Sequence, residues 1–104
     1  MSLQQKILTL IGGIPDPATR VDIATTVNYL FQLYVGGHIN EDQARTELYN
    51  VCHDVISITY PDLTEDEVRK KANQLAEEFM RVFRVENVHR RMVSRFGSAT
   101  RLPY

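Results

Sequence analysis

The stretch Glu41–Tyr60, EDQARTELYNVCHDVISITY, carries two apolar stripes at helical spacing. One runs through Ala44, Leu48, Val51, Cys52, Val55 and Thr59, the other through Tyr49, His53, Ile56 and Tyr60. At about 100° per residue, the second lies roughly 100° around the cylinder from the first. A helix on the surface of a bundle needs one such stripe, and a helix with two meets neighbours on two sides. The spacing therefore predicts the central helix of an all-α domain. Val55–Tyr60 is β-branched enough to suit a strand, but it continues the helical spacing without a break.

The flanks of this helix are written in capping chemistry. Asn40 is placed to cap it, and Glu41 and Asp42 put negative charge in its first turn, where the macrodipole favours it. Tyr60-Pro61 closes it. Upstream, Ser2 with Gln5 fits a capping box for a short helix with Leu3, Ile7, Leu10 and Ile11 on one face, ended by Gly12-Gly13. Ile14-Pro15-Asp16-Pro17 is a turn, because a proline disfavours helix in the residue before it. Asp16 or Thr19 starts a second helix that runs to about Val35 through Ile23, Val27, Leu30, Phe31 and Tyr34. Tyr29, Leu33 and Val35 widen its apolar face, leaving Thr25, Asn28 and Gln32 as the polar line, and Gly36-Gly37 stops it.

Downstream, Thr64 with Glu67 is a second capping box, opening a helix through Val68, Ala72, Leu75, Phe79, Val82 and Phe83. There the phase changes. Val85, Val88, Met92 and Phe96 lie roughly 120° around from the earlier set, so one straight helix cannot aim both at a single core. Either the helix breaks near Arg84–Asn87, or it runs on and shows its second face to something else. The expected architecture is a small all-α bundle of four to five helices with a long, kinked or split C-terminal helix. Residues 1–96 would form one domain and residues 97–104 a tail. The expected core is Ala24, Val27, Leu30, Phe31, Tyr34, Leu48, Val51, Cys52, Val55, Leu75, Phe79 and Phe83.

Composition narrows the function classes. A chain of 104 residues is long enough for one core, and its single cysteine excludes an internal disulfide framework and a Cys₄ or Cys₂His₂ zinc site within one chain. It has no basic-then-apolar leader and no apolar run of about 18 residues, so a soluble cytoplasmic protein without membrane contact is expected. The net charge of −1 hides a strong division along the chain. From Asn40 to Glu67 there are eight acids (Glu41, Asp42, Glu47, Asp54, Asp62, Glu65, Asp66, Glu67) against Arg45 alone. From Arg81 onward there are six arginines (Arg81, Arg84, Arg90, Arg91, Arg95, Arg101), no lysine, and Glu86 as the one acid. On a continuous helix Arg81, Arg84, Arg91 and Arg95 share a sector about 80° wide. Such a strip suits the phosphate backbone of DNA or RNA. It equally suits dipole compensation and pairing with acids of the same fold or of a second subunit.

A helix-turn-helix reading of the second and third helices fails on charge. The end that would enter the major groove carries Glu41, Asp42 and Glu47. The tyrosines and phenylalanines fall on expected core faces, so no RNA-stacking signature stands out. Enzyme chemistry is thin. Cys52 and His53 are neighbours on a helix and point about 100° apart, which does not make a nucleophile–base pair. Glu86 and His89 have the Glu-x-x-His spacing of di-iron bundles, but such sites need two pairs and two further glutamates, so neither metal nor cofactor is expected. No phosphate-loop glycine pattern occurs.

The function expected from the residues is therefore a non-enzymatic helical module. It would associate with itself, as a homodimer, or with another protein through Val85, Val88, Met92 and Phe96, each worth about 1.5–3 kcal/mol if buried. The alternative is sequence-indifferent nucleic-acid binding through Arg81, Arg84, Arg91 and Arg95.

Overall fold

The computed structural model describes the backbone of residues 2–101 and the side chains of residues 2–91. Among the described residues the chain forms four helices and no strand: α1 (Leu3–Ile11), α2 (Pro17–Val35), α3 (Glu41–Thr59) and α4 (Glu65–Arg101).

Local chemistry sets each start. Ser2 and Gln5 exchange both capping-box bonds, Ser2 Oγ accepting from the Gln5 amide at 3.2 Å and Gln5 Oε1 from the Ser2 amide at 3.0 Å. Asp16 Oδ2 accepts from the Thr19 amide at 3.1 Å and from its hydroxyl at 2.6 Å, with Pro17 at the first helical position, where its missing N–H costs nothing. Asn40 Oδ1 caps α3 through the Gln43 amide at 2.8 Å, and Gln43 completes a box that the sequence reading left out. Thr64 and Glu67 do the same for α4.

The ends divide into local and tertiary causes. α2 ends in a Schellman turn: the Gly37 amide donates to Tyr34 O at 3.1 Å and the His38 amide to Leu33 O at 2.9 Å. This needs a left-handed residue, and Gly37 supplies it at φ 77°. Gly13, after α1, answers a different demand. A Cβ there would stand 2.6 Å from Thr59 Cγ2, so any larger residue would have to displace the Thr59 side chain at the end of α3.

Packing follows from the stripes. α3 and α4 run antiparallel, with Arg84 paired to Glu41 at one end and His53 bonded to Glu65 at the other. They form the most extensive interface of the bundle. α1 also lies antiparallel on α4, Lys6 Nζ reaching Glu78 at 2.6 Å while the Leu3 amide points at Glu86. α2 closes the bundle by stacking Phe31 edge-on against Phe83 (5.2 Å between ring centroids) and Tyr34 beside it (5.8 Å).

α3 and α4 together form the spine of the bundle, and α1 and α2 pack against it and against each other. The first stripe of α3 is buried through Ala44, Leu48, Cys52 and Val55. The second fades outward, from buried Ile56 to half-buried Tyr49 and His53 and exposed Tyr60. The core is all-apolar: Phe79, Met80, Phe83, Leu48, Val27 and Cys52 are sealed from solvent, with Leu3 and Ile7 closing it from α1. Of the expected core, Ala24, Tyr34, Val51 and Leu75 sit at its margin, half-buried.

α4 passes through Arg84–Asn87 as one element of 37 residues, so the split into a fifth helix does not occur. The helix absorbs the phase change by using its core-facing side as far as Phe83 and running on past the bundle. This gives the molecule its extents of 61 × 28 × 22 Å. The backbone stays helical through Gly97 to Arg101, across the boundary expected at residue 96. No described helix is long and apolar enough to cross a membrane.

Candidate interaction surface

Just before α4 leaves the bundle it is fastened on three sides. Toward α3, the Arg84 guanidinium forks onto Glu41, Nε to Oε1 at 2.8 Å and Nη2 to Oε2 at 3.2 Å. Toward α1, the Leu3 amide donates to Glu86 Oε1 at 3.4 Å. Toward α2, the Arg90 guanidinium rests over the Phe31 ring, 5.7 Å from its centroid. These ties account for three sectors of the helix surface. The fourth sector carries Val85 and Val88, which are 68% and 55% exposed. Two large apolar side chains one turn apart on a fastened helix form a surface without a cover inside the bundle.

Electrostatics at this root are tightly organised. The hydrogen bond from Arg84 holds the Glu41 carboxyl below its ordinary range, and Glu41 in turn raises Arg84. The Tyr34 hydroxyl donates to Glu41 Oε1 at 3.3 Å, and burial, followed by the Glu41 charge, pushes its phenol up. Arg45 joins the cluster, with Asp42 at 2.9 Å and Glu77 at 2.5 Å.

The residues singled out in the sequence separate accordingly. Val85 and Val88 share the exposed face; the side chains of Met92 and Phe96 lie outside the described residues. Of the arginine strip, Arg81 and Arg91 are exposed, Arg84 is engaged with Glu41, and the Arg95 side chain lies outside the described residues. Glu86 faces α1 while His89 is exposed, and among the described residues no group of three or more His, Cys, Asp or Glu is placed to hold a metal ion. Cys52 is sealed in the core, where burial pushes its thiol up to about 12, so it is neither nucleophile nor ligand at neutral pH. His53 binds Glu65 through Nε2 at 2.7 Å.

Two of the concavities among the described residues stand out. A pocket of about 230 Å³ between α1, α3 and α4 is lined by Lys6, Leu10, Thr59 and Phe79 among others, with Lys6 already neutralised by Glu78. A wider groove of about 620 Å³ lies between α2 and the start of α3. Its floor is Leu30, Leu33 and Ile39, its wall Tyr29, and its rim Asp42 and Glu47. The sequence does not point to this groove, because Tyr29 reads as part of a largely covered apolar face, whereas it is 61% exposed. The available signal was that Tyr29 and Leu33 lie off the Val27–Leu30–Phe31–Tyr34 stripe, on its flank.

Comparison of this chain with protein-family models, with curated proteins and with solved structures finds no match.

Proposed function

We propose that this chain is a non-enzymatic helical association module that joins a second copy of itself through the outer face of α4. The observation that carries this reading is the exposure of Val85 and Val88 on the one side of the α4 root that α1, α2 and α3 leave uncovered. Met92 and Phe96 continue the stripe in sequence, giving the i, i+3, i+7 and i+11 anchors of a helix that lies against a partner. The ties at Arg84, Glu86 and Arg90 pre-organise this face, which lowers the ordering cost of association.

Val88→Asp tests it. A charge placed in the centre of such a contact weakens association by roughly thirtyfold or more, the loss expected for an anchor worth about 2 kcal/mol. Sedimentation velocity reads the outcome: the unaltered chain is a dimer at high micromolar concentration and the variant a monomer. A monomeric unaltered chain refutes the reading.

A second reading, backbone binding to nucleic acid, draws support from the exposure of Arg81 and Arg91 beside the apolar stripe. It is weakened at Arg84, whose fork is occupied by Glu41.

A further inference from the structure

We infer that the groove between α2 and α3 is the receptor for the α4 arm of a second copy, so that two chains exchange arms across a two-fold axis. This rests on the association reading above and names the surface that the arm meets.

The groove offers what the arm lacks. Leu30, Leu33 and Ile39 form an apolar floor and Tyr29 stands beside it, while the rim carries Glu47, which is exposed, and Asp42, which Arg45 already pairs. Among the described residues no lysine or arginine lines it. The arm presents the complement. Val85 and Val88 are apolar and exposed, and Arg81 and Arg91 are exposed alongside them. By helical geometry Arg81 lies in line with the apolar stripe, about one turn before Val85, and Arg91 about 60° to one side of Val88, so a helix lying apolar-side down brings Arg91 to one rim of the groove and Arg81 to its end.

The arm cannot reach the groove of its own chain. Phe83 contacts Phe31 and Tyr34 of α2, and Val85 and Val88 lie on the far side of the same continuous helix. Turning them onto α2 would break the Arg84–Glu41 fork and unseat Phe83. A second copy satisfies both surfaces, and the reciprocal arrangement closes without leaving a groove or an arm over. The net charge of −1 gives two copies little long-range repulsion, and the division into acidic and arginine-rich surfaces supplies local attraction.

The experiment uses full-length chains and sedimentation velocity, with thermal unfolding by circular dichroism to check each fold. Tyr29→Asp with Glu47→Lys alters two exposed side chains of the groove and leaves α4 untouched. Arg81→Glu with Arg91→Glu reverses the arm. Each double variant is expected to weaken self-association by at least about tenfold. An equimolar mixture of the two is expected to form a heterodimer, because one of its two arm–groove contacts is then unaltered, whereas each homodimer has both contacts altered. Undiminished dimerisation of the Tyr29→Asp/Glu47→Lys chain, or no heterodimer in the mixture, overturns the inference. If Val88→Asp is monomeric while the groove variant still dimerises, the arms meet each other, and the association reading stands without the groove. If the unaltered chain is a monomer, both fall.

Discussion

Glu41 is the residue on which the polar geometry of the bundle converges. It lies in the first turn of α3, accepts both nitrogens of the Arg84 fork and takes the Tyr34 hydroxyl as well. Its carboxyl is held below its ordinary value of 4.5, first by the Arg84 hydrogen bond. A carboxyl with a folded-state pKa below its unfolded one stabilises the fold fully above the unfolded value. It gives that stability up as pH falls through the folded one. Glu41→Gln is therefore expected to lower the urea midpoint at about pH 7 and to lower it progressively less at an acid pH below the ordinary carboxyl value of 4.5. Both partners are partly exposed, so solvent screening keeps the effect modest. An equal difference at both pH values would mean that Glu41 acts through packing alone. Glu65 and Glu67, held down by His53 and by the Thr64 cap, weaken the fold in the same acid range.

At the scale of the element, α4 is one helix with two employments. As far as Phe83 it is a core helix, with Val68, Ala72, Ala76, Phe79 and Met80 buried. Beyond Phe83 its outer face is open. Phe83 is the hinge between these roles, fully buried and stacked on both Phe31 and Tyr34. Phe83→Ala is expected to cost about 3–5 kcal/mol, because the cavity left among three helices cannot collapse. For a domain whose total stability is about 5–15 kcal/mol, that is a large drop in the urea midpoint. A loss under about 1 kcal/mol would show that α2 does not depend on this contact. The start and length of α4 up to this point were legible from Thr64, Glu67 and the stripe through Phe83. Of the two courses open at Arg84–Asn87, a break or a helix that runs on with its second face turned elsewhere, the structure shows the second. A shift in apolar phase marks where a helix changes neighbours, and it forces a kink only when both faces must meet the same core.

Across the whole molecule, charge is distributed by element. The acids of residues 40–67 are concentrated at the starts of α3 and α4, where helix dipoles hold them, and the arginines follow α4 outward. Part of that division is spent internally: Arg84 on Glu41, Arg45 on Asp42 and Glu77, and Arg69 on Asp66. The remainder, Arg81 and Arg91 on the arm and Glu47 at the groove, is exposed. Fluorescence anisotropy with labelled duplex and single strands at about 50 and 200 mM salt separates the two readings of the arm. If the arginines hold a phosphate backbone, binding falls by orders of magnitude at the higher salt, and Arg81→Gln with Arg91→Gln abolishes it. If they serve association, neither salt gives binding and the same substitutions weaken the dimer instead.

The sequence by itself determined the class of fold, the helix starts at Ser2, Asn40 and Thr64, the stop at Gly36-Gly37 and most of the core. All of these are set by interactions three or four residues apart, and such spacings are visible in a linear string. Only the tertiary structure decided that α3 and α4 share the most extensive interface, that Gly13 packs close beneath Thr59, and that Tyr29 borders a groove. It alone tied Arg84 to Glu41, 43 residues away. The physical reason is that a stripe specifies that a face is to be covered and leaves open by what. That is settled when every face competes at once for the same few neighbours, and among the described residues the face of α4 at Val85 and Val88 is left exposed.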